Sequence, residues 1–167
     1  MEMREPKVDK VTLNIGVGHA GADLENAKSL LTRLSGCKSI ATTAHVRNPV
    51  FKIKKGDPIG AKTTMRGRVA LEFLKKALAV KANTLPSKSF DSRGNFSFGV
   101  PEYIDIQGAR YDPQIGIIGF DVCVTLKRNG YRVATRRREC AKIGKKHLLT
   151  KQDGIEFAKS ALGINVI

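Results

Sequence analysis

A chain of 167 residues with 41% hydrophobic content can bury one core, yet it carries 30 Lys and Arg against 15 Asp and Glu, a net charge of +15. This balance excludes a purely disordered basic tail and points to a polyanionic partner, because neutralised phosphates release their counterions. No apolar run reaches the roughly 18 to 20 residues of a membrane span, and the opening Met1-Glu2-Met3-Arg4-Glu5-Pro6 has no apolar signal region, so a cytoplasmic protein is expected.

Val11, Leu13, Ile15 and Val17 alternate with Lys10, Thr12 and Asn14, which predicts a strand with one polar face. Asp23 offers a helix N-cap, Leu24, Ala27, Leu31 and Leu34 recur at helical spacing, and Gly36 stands where the helix would stop. Residues 39–46 are rich in β-branched and small side chains and suggest a second strand, ended by Arg47-Asn48-Pro49. From Pro58 to Gly67 the first pattern returns, with Ile59, Ala61, Thr63 and Met65 on one face and Lys62, Thr64 and Arg66 on the other.

A second helix is predicted from Ala70, Phe73, Leu74, Ala77 and Leu78, with Lys75, Lys76 and Lys81 outward and an end before Pro86. The turn residues 91–95 lead into alternating Phe96, Phe98 and Val100, a short strand. Phe120, Val122, Val124 and Leu126 alternate into Arg128-Asn129-Gly130, and Tyr131, Val133 and Thr135 alternate out, which predicts a hairpin. A last helix is expected from near Thr150, with Ile155, Ala158 and Leu162 inward.

These elements describe one α+β domain over residues 1–167: an antiparallel or mixed sheet, helices packed on one face, and the other face open and polar. The helices would cover the Val11/Leu13/Ile15 and Ile59/Ala61/Met65 faces and leave Lys10, Thr12, Asn14, Lys62, Thr64 and Arg66 accessible. A basic loop at about 46–57 and a basic C-terminal region at about 127–151 elaborate the domain.

Residues 16–21 match GxGxxG between a strand and a helix, but residues 36–56 contain no Asp or Glu to meet a ribose. The glycines therefore read as a tight turn, and no cofactor is expected. His19, His45 and His147 fall in separate segments without a nucleophile or carboxylate motif, and are expected to face solvent or RNA. Asp105 and Asp112 are expected to pair with Lys or Arg rather than act as a catalytic pair, so no enzyme is predicted. Cys37, Cys123 and Cys140 are odd in number and form no CxxC pair, which supports neither a disulfide framework nor a metal site and leaves buried or free thiols.

The acid-free stretch 36–56 includes Arg47, Phe51, Lys52, Lys54 and Lys55 between two strands whose polar faces already carry donors. Phe51 either stacks on a base or anchors the loop. Residues 127–151 hold ten Lys or Arg, with Arg132, Arg136, Arg137, Arg138, Lys145 and Lys146 among them, against Glu139 alone. An open polar sheet with basic flanks suits the shallow minor groove and 2′-hydroxyls of RNA.

Four blocks, KVTLNIGVG at 10–18, PIGAKTTMRG at 58–67, FDSRGNFSFG at 90–99 and GFDVCVTL at 119–126, resemble in content and order the signature blocks of the ribosomal protein L-five family, closest to its archaeal type. The resemblance covers nearly the whole chain. It implies a structural protein of the large subunit that binds 5S rRNA and large-subunit rRNA at the central protuberance and contacts peptidyl-site tRNA. Neighbouring ribosomal proteins, including a small-subunit bridge partner, would be its protein contacts. Matching positions put the 5S rRNA contacts on Asn14, Thr64 and Arg66, the faces already singled out by alternation, with Lys10, Thr12 and Lys62 beside them. The loop bearing Arg47, Lys52, Lys54 and Lys55 corresponds to the family's tRNA-directed loop. Cys37 stands where many members carry a Gln that is part of the 5S site, and a thiol does not replace an amide's paired donors and acceptors. The alternative is a general nucleic-acid-binding regulatory or architectural protein without a ribosomal role.

Overall fold

A computed structural model describes residues 3–167. Strand β1 (Lys7–Gly16) opens the chain and takes the centre of a five-stranded antiparallel sheet. Helix α1 (Ala22–Ser35), strand β2 (Ile40–Thr43), strand β3 (Pro58–Met65) and helix α2 (Gly67–Val80) follow. Then come the short β4 (Thr84–Leu85), β5 (Phe96–Val100), β6 (Phe120–Lys127), helix α3 (Lys151–Leu162) and the short β7 (Asn165–Val166). The sheet order is β2-β3-β1-β6-β5, and β4 pairs with β7 in parallel, a contact not anticipated from two such short segments.

Alternation in β1 and β3 divides the sheet as the sequence predicts. Val11, Leu13, Ile15, Ala61 and Met65 are buried against the helices, joined by Val122, Val124 and Leu126 from β6. Helix α1 buries Leu24, Ala27, Leu30 and Leu31, while α2 buries Ala70, Phe73, Leu74, Ala77 and Leu78. Each fully buried Leu or Phe contributes about 1.5–3 kcal/mol of transfer free energy, so these two helical stripes fix which sheet face is covered. Thr63 is the polar exception on that face, and its hydroxyl donates to the Lys38 carbonyl at 3.2 Å.

Helix α1 starts one residue before Asp23, with Gly21 as N-cap and no side-chain cap; Asp23 lies inside the first turn and meets His19 Nε2 at 3.1 Å. Gly36 closes the helix in the left-handed conformation, as expected. Strand β2 is shorter than the 39–46 stretch suggested. The glycine turn after β1 is tight because the Val17 and Gly18 amides both donate to the Ile59 carbonyl, at 3.0 and 2.7 Å.

The expected hairpin after β6 does not form. Both edges of β6 are occupied, by β1 and by β5, and beyond the end of β5 the Leu126 amide donates to Asn95 Oδ1 at 2.9 Å. With no edge left, residues 131–134 coil into a 3₁₀ turn instead. Tyr131 then anchors the segment: its hydroxyl accepts from the Leu149 amide at 3.1 Å and its ring meets His147 edge-on.

Helix α3 starts on a capping box, with Thr150 Oγ1 accepting from the Asp153 amide and Asp153 Oδ2 accepting from the Thr150 amide at 2.8 Å. Gly154 in its first turn lies on the backbone of Gly94, whose Cα is 2.5 Å from where a Cβ on residue 154 would stand. Gly154→Ala adds helix propensity worth about 1 kcal/mol but forces two backbones apart, at a cost of about 1–3 kcal/mol. The expected outcome is a lower melting temperature, read by circular dichroism; a rise would show that the two segments are not in contact.

Candidate nucleic-acid interface

The open face is assembled by register. Asn14 pairs with Lys62 on one side and Asp121 on the other; Thr12 pairs with Thr64 and Cys123, and Cys123 with Ser97. Side chains across a pair share a face, so Thr12, Asn14, Lys62 and Thr64 form one continuous patch, with Lys10 beside Thr125. Lys62, Thr64 and Arg66 are exposed, and Lys10, Thr12 and Asn14 are half-buried between neighbouring strands. All six residues expected on this face stand on it or at its edge. None of the described helices covers it.

Alternation in β6 adds residues that were not singled out from sequence. Phe120, Val122, Val124 and Leu126 point inward, so Asp121, Cys123, Thr125 and Lys127 belong to the open face. Their signal is the polar half of the same alternating run.

A bulge between Val8 and Lys10 leaves Asp9 as the extra residue of β1. Asp9 Oδ1 accepts from Lys127 Nζ at 2.7 Å and from Arg66 Nη1 at 3.1 Å, which ties β1, β3 and β6 together at one end of the open face. Partial burial alone would raise the Asp9 carboxyl, but the hydrogen bond and charge of Lys127, with those of Arg66, hold it below its ordinary value of 3.8.

The loop at 46–57 is ordered by its backbone rather than by a core. Asn48 and Ile53 exchange amide-to-carbonyl bonds at 2.9 and 3.0 Å, and Lys54 N donates to Asp57 Oδ2 at 2.8 Å. Its tip presents Arg47, Lys52, Lys54 and Lys55 to solvent together with Val46, Val50 and Phe51, the last 71% exposed. Phe51 does not anchor this loop in the free chain.

In the C-terminal region Arg132, Arg136, Arg137, Arg138, Lys145 and Lys146 are all exposed. Arg136 is turned partly back on its own loop, with Nε donating to the Glu139 carbonyl at 2.8 Å. Arg128 is different. It is buried, donates to the His147 and Leu148 carbonyls at 3.3 and 3.2 Å, and pairs with Asp153 at 2.9 Å, so it holds the segment to the start of α3 and is not available to RNA. His147, expected to face solvent or RNA, likewise has a structural partner, the Asn129 carbonyl at 2.8 Å from Nε2. Asp112 does pair with a base, Arg33 at 2.6 Å.

Cys37 packs against the apolar core and its amide donates to Ser35 Oγ at 3.1 Å, so the turn after α1 is held internally. Cys123 and Cys140 are exposed free thiols. Although the residue is exposed as a whole, partial desolvation of its sulfur between neighbouring strands, with the charge of Asp121 beside it, pushes the Cys123 thiol up. Among the described residues no group of three or more His, Cys, Asp or Glu could hold a metal, and no helix is long and apolar enough to cross a membrane.

Two predictions separate support from binding. Arg128→Ala leaves Asp153 and two carbonyls without their partner and is expected to cost about 1–3 kcal/mol, whereas replacing Arg136, Arg137 and Arg138 together by Ala leaves the denaturant midpoint unchanged. Equal midpoints for both variants would contradict the anchoring role. Asp9 contributes stability that is complete above its unfolded value of 3.8 and is lost as pH falls through its lower folded value. Asp9→Asn is therefore expected to melt a few degrees lower at about pH 7 and to converge with the parent in acid, once the pH lies below the lowered folded value. A gap that persists in acid would mean that packing, not charge, sets the effect.

Comparison with known proteins places these features in one family. A family model described as ribosomal protein L5 matches residues 2–54, and a second, describing the C-terminus of the same ribosomal family, matches residues 58–157. The large ribosomal subunit protein uL5 of Archaeoglobus fulgidus is 51% identical over 164 residues, covering 98% of this chain and 91% of the relative. Those of Methanococcus maripaludis strain S2 and Sulfurisphaera tokodaii are each 46% identical, covering 99% of this chain and 93% and 94% of the relatives. The chain belongs to the ribosomal protein L5 family, whose members are structural, non-enzymatic components of the large ribosomal subunit with rRNA binding as their known role.

Proposed function

We propose that this protein binds 5S rRNA through the open face of its sheet and docks it onto large-subunit rRNA at the central protuberance. The observation that carries the reading is the uncovered patch of Thr12, Asn14, Lys62 and Thr64, continuous with Arg66 and Lys127. Hydroxyl, amide and cationic donors spread over a shallow surface match the wide minor groove of A-form RNA, where 2′-hydroxyls and phosphates are the accessible acceptors. Phosphate contacts give affinity, and the fixed spacing of the neutral donors gives selectivity for a folded RNA.

The C-terminal region with Arg132, Arg136, Arg137, Arg138, Lys145 and Lys146 is assigned to other rRNA, because the anchor at Arg128 and Tyr131 displays these cations on a folded ledge. The loop tip bearing Arg47, Lys52, Lys54 and Lys55 is assigned to peptidyl-site tRNA. Its exposed Val46, Val50 and Phe51 suit a protein neighbour such as a small-subunit bridge partner or an unstacked base. The ribosome in the cytoplasm is the working place this reading implies.

The test is binding of the purified chain to 5S rRNA, with tRNA and duplex DNA as competitors, at low and near-physiological salt. With about 6 to 10 phosphates contacted, all affinities fall by roughly 10³- to 10⁵-fold between about 50 and 200 mM salt, and the 5S preference survives. Thr64→Ala with Arg66→Ala is expected to abolish that preference, and Lys54→Ala with Lys55→Ala to leave it nearly intact. Equal binding to all three nucleic acids, fading together with salt, would favour a general nucleic-acid binder; equal losses in the two variants would contradict the division between sheet and loop.

A further inference from the structure

We propose that the groove between the end of β6 and the C-terminal basic segment receives one unpaired nucleotide of the bound RNA. This rests on the RNA-binding reading above and narrows it to a single recess. The groove holds about 630 Å³, within the roughly 300–1,000 Å³ typical of small-ligand sites. Leu126, Ile143, Leu148 and Leu149 give it apolar lining, and Tyr131 stands among them.

Cations gather around the same recess. Arg93, on the turn before β5, and Arg132, on the 3₁₀ turn after β6, both line it, and neither guanidinium has a hydrogen-bond or ion-pair partner among the described residues. Arg66 and Lys127 also line it, both bound to Asp9 Oδ1, and Asp9 is itself part of the lining, so a carboxylate acceptor stands beside the cations. Three features together select the ligand. Apolar lining does not stabilise a bare phosphate, and the Asp9 carboxylate repels one. A paired base stays in its stack and cannot enter a recess. An unpaired nucleotide satisfies all three: its base covers the apolar lining, its amine or ribose hydroxyl donates to Asp9, and its phosphate takes Arg93 and Arg132.

The probes are three hairpin RNAs of one stem sequence: one with a single bulged nucleotide, one fully paired, and one with an abasic residue at the bulge. The full chain is expected to bind the bulged hairpin about tenfold tighter than either of the others, the scale of one stacked base. Ala134 is exposed and lines the groove without contributing to the sheet patch. Ala134→Leu fills the recess and is expected to erase the tenfold difference while leaving affinity for the paired hairpin and the melting temperature unchanged. Equal affinity of the parent chain for bulged and abasic hairpins would overturn the proposal, as would full discrimination by Ala134→Leu. Loss of the broader reading looks different: the parent chain would then fail to prefer 5S rRNA over duplex DNA, whatever the hairpins show.

Discussion

Strand β1 is paired along both edges, to β3 through Val11–Gly16 and to β6 through Lys7–Asn14, and this double pairing fixes the two faces of the molecule. A one-residue slip against either neighbour would carry Val11, Leu13 and Ile15 into water and Thr12 and Asn14 into the core. Burial of the apolar row is therefore also what presents the polar row. The same register aligns Thr12 with Thr64 and Asn14 with Lys62, so the donors of the interface stand at spacings set by the sheet rather than by flexible side-chain reach. That rigidity fixes a pattern of donors beyond net charge.

The excess of positive charge is handled by a second device. Ten cations in residues 127–151 repel one another, yet the segment is folded. Arg128 spends its charge on Asp153 and on two carbonyls, and Asp153 is shared with the Thr150 cap, which pulls its carboxyl below the ordinary value against the opposing effect of burial. Tyr131 and His147 close the other side. One buried arginine and one aromatic pair thus hold the remaining cations outward, and beyond the Arg136–Glu139 pair their mutual repulsion favours an anionic partner. The asymmetry between Arg128 and its exposed neighbours is a matter of packing, since nothing in a run of basic residues distinguishes them.

Much of this was legible in the chain. Period-two alternation located β1, β3, β5 and β6, helical spacing located α1 and α2, and the open-face residues from Lys10 to Arg66 followed from alternation alone. What failed was non-local. Arg128-Asn129-Gly130 followed by Tyr131, Val133 and Thr135 is a fair hairpin signal, but the edge such a strand needs is held by β5 and by the side chain of Asn95, thirty-one positions earlier than Leu126. Asp9 could not be placed, because the bulge that turns it toward Arg66 and Lys127 depends on the β1–β6 register. Lys127 and Thr125 are recoverable from the polar half of the alternation in β6. Basic clusters marked the loop at 46–57 and the region at 127–151, while the structural use of Arg128 and His147 required knowing which carbonyls they meet.

If the uncovered sheet face is the RNA surface, Cys123, exposed between Thr12 and Ser97, is a native reporter on it. The direct measurement is the rate of maleimide modification of Cys123 with and without 5S rRNA, resolved by mass spectrometry, with a small free thiol added to both samples as internal reference. Strong protection of Cys123 in the complex and an unchanged rate for the added thiol are expected. An equal rate at Cys123 in free and bound protein, under conditions where 5S rRNA is fully bound, would place the RNA on another surface and contradict it.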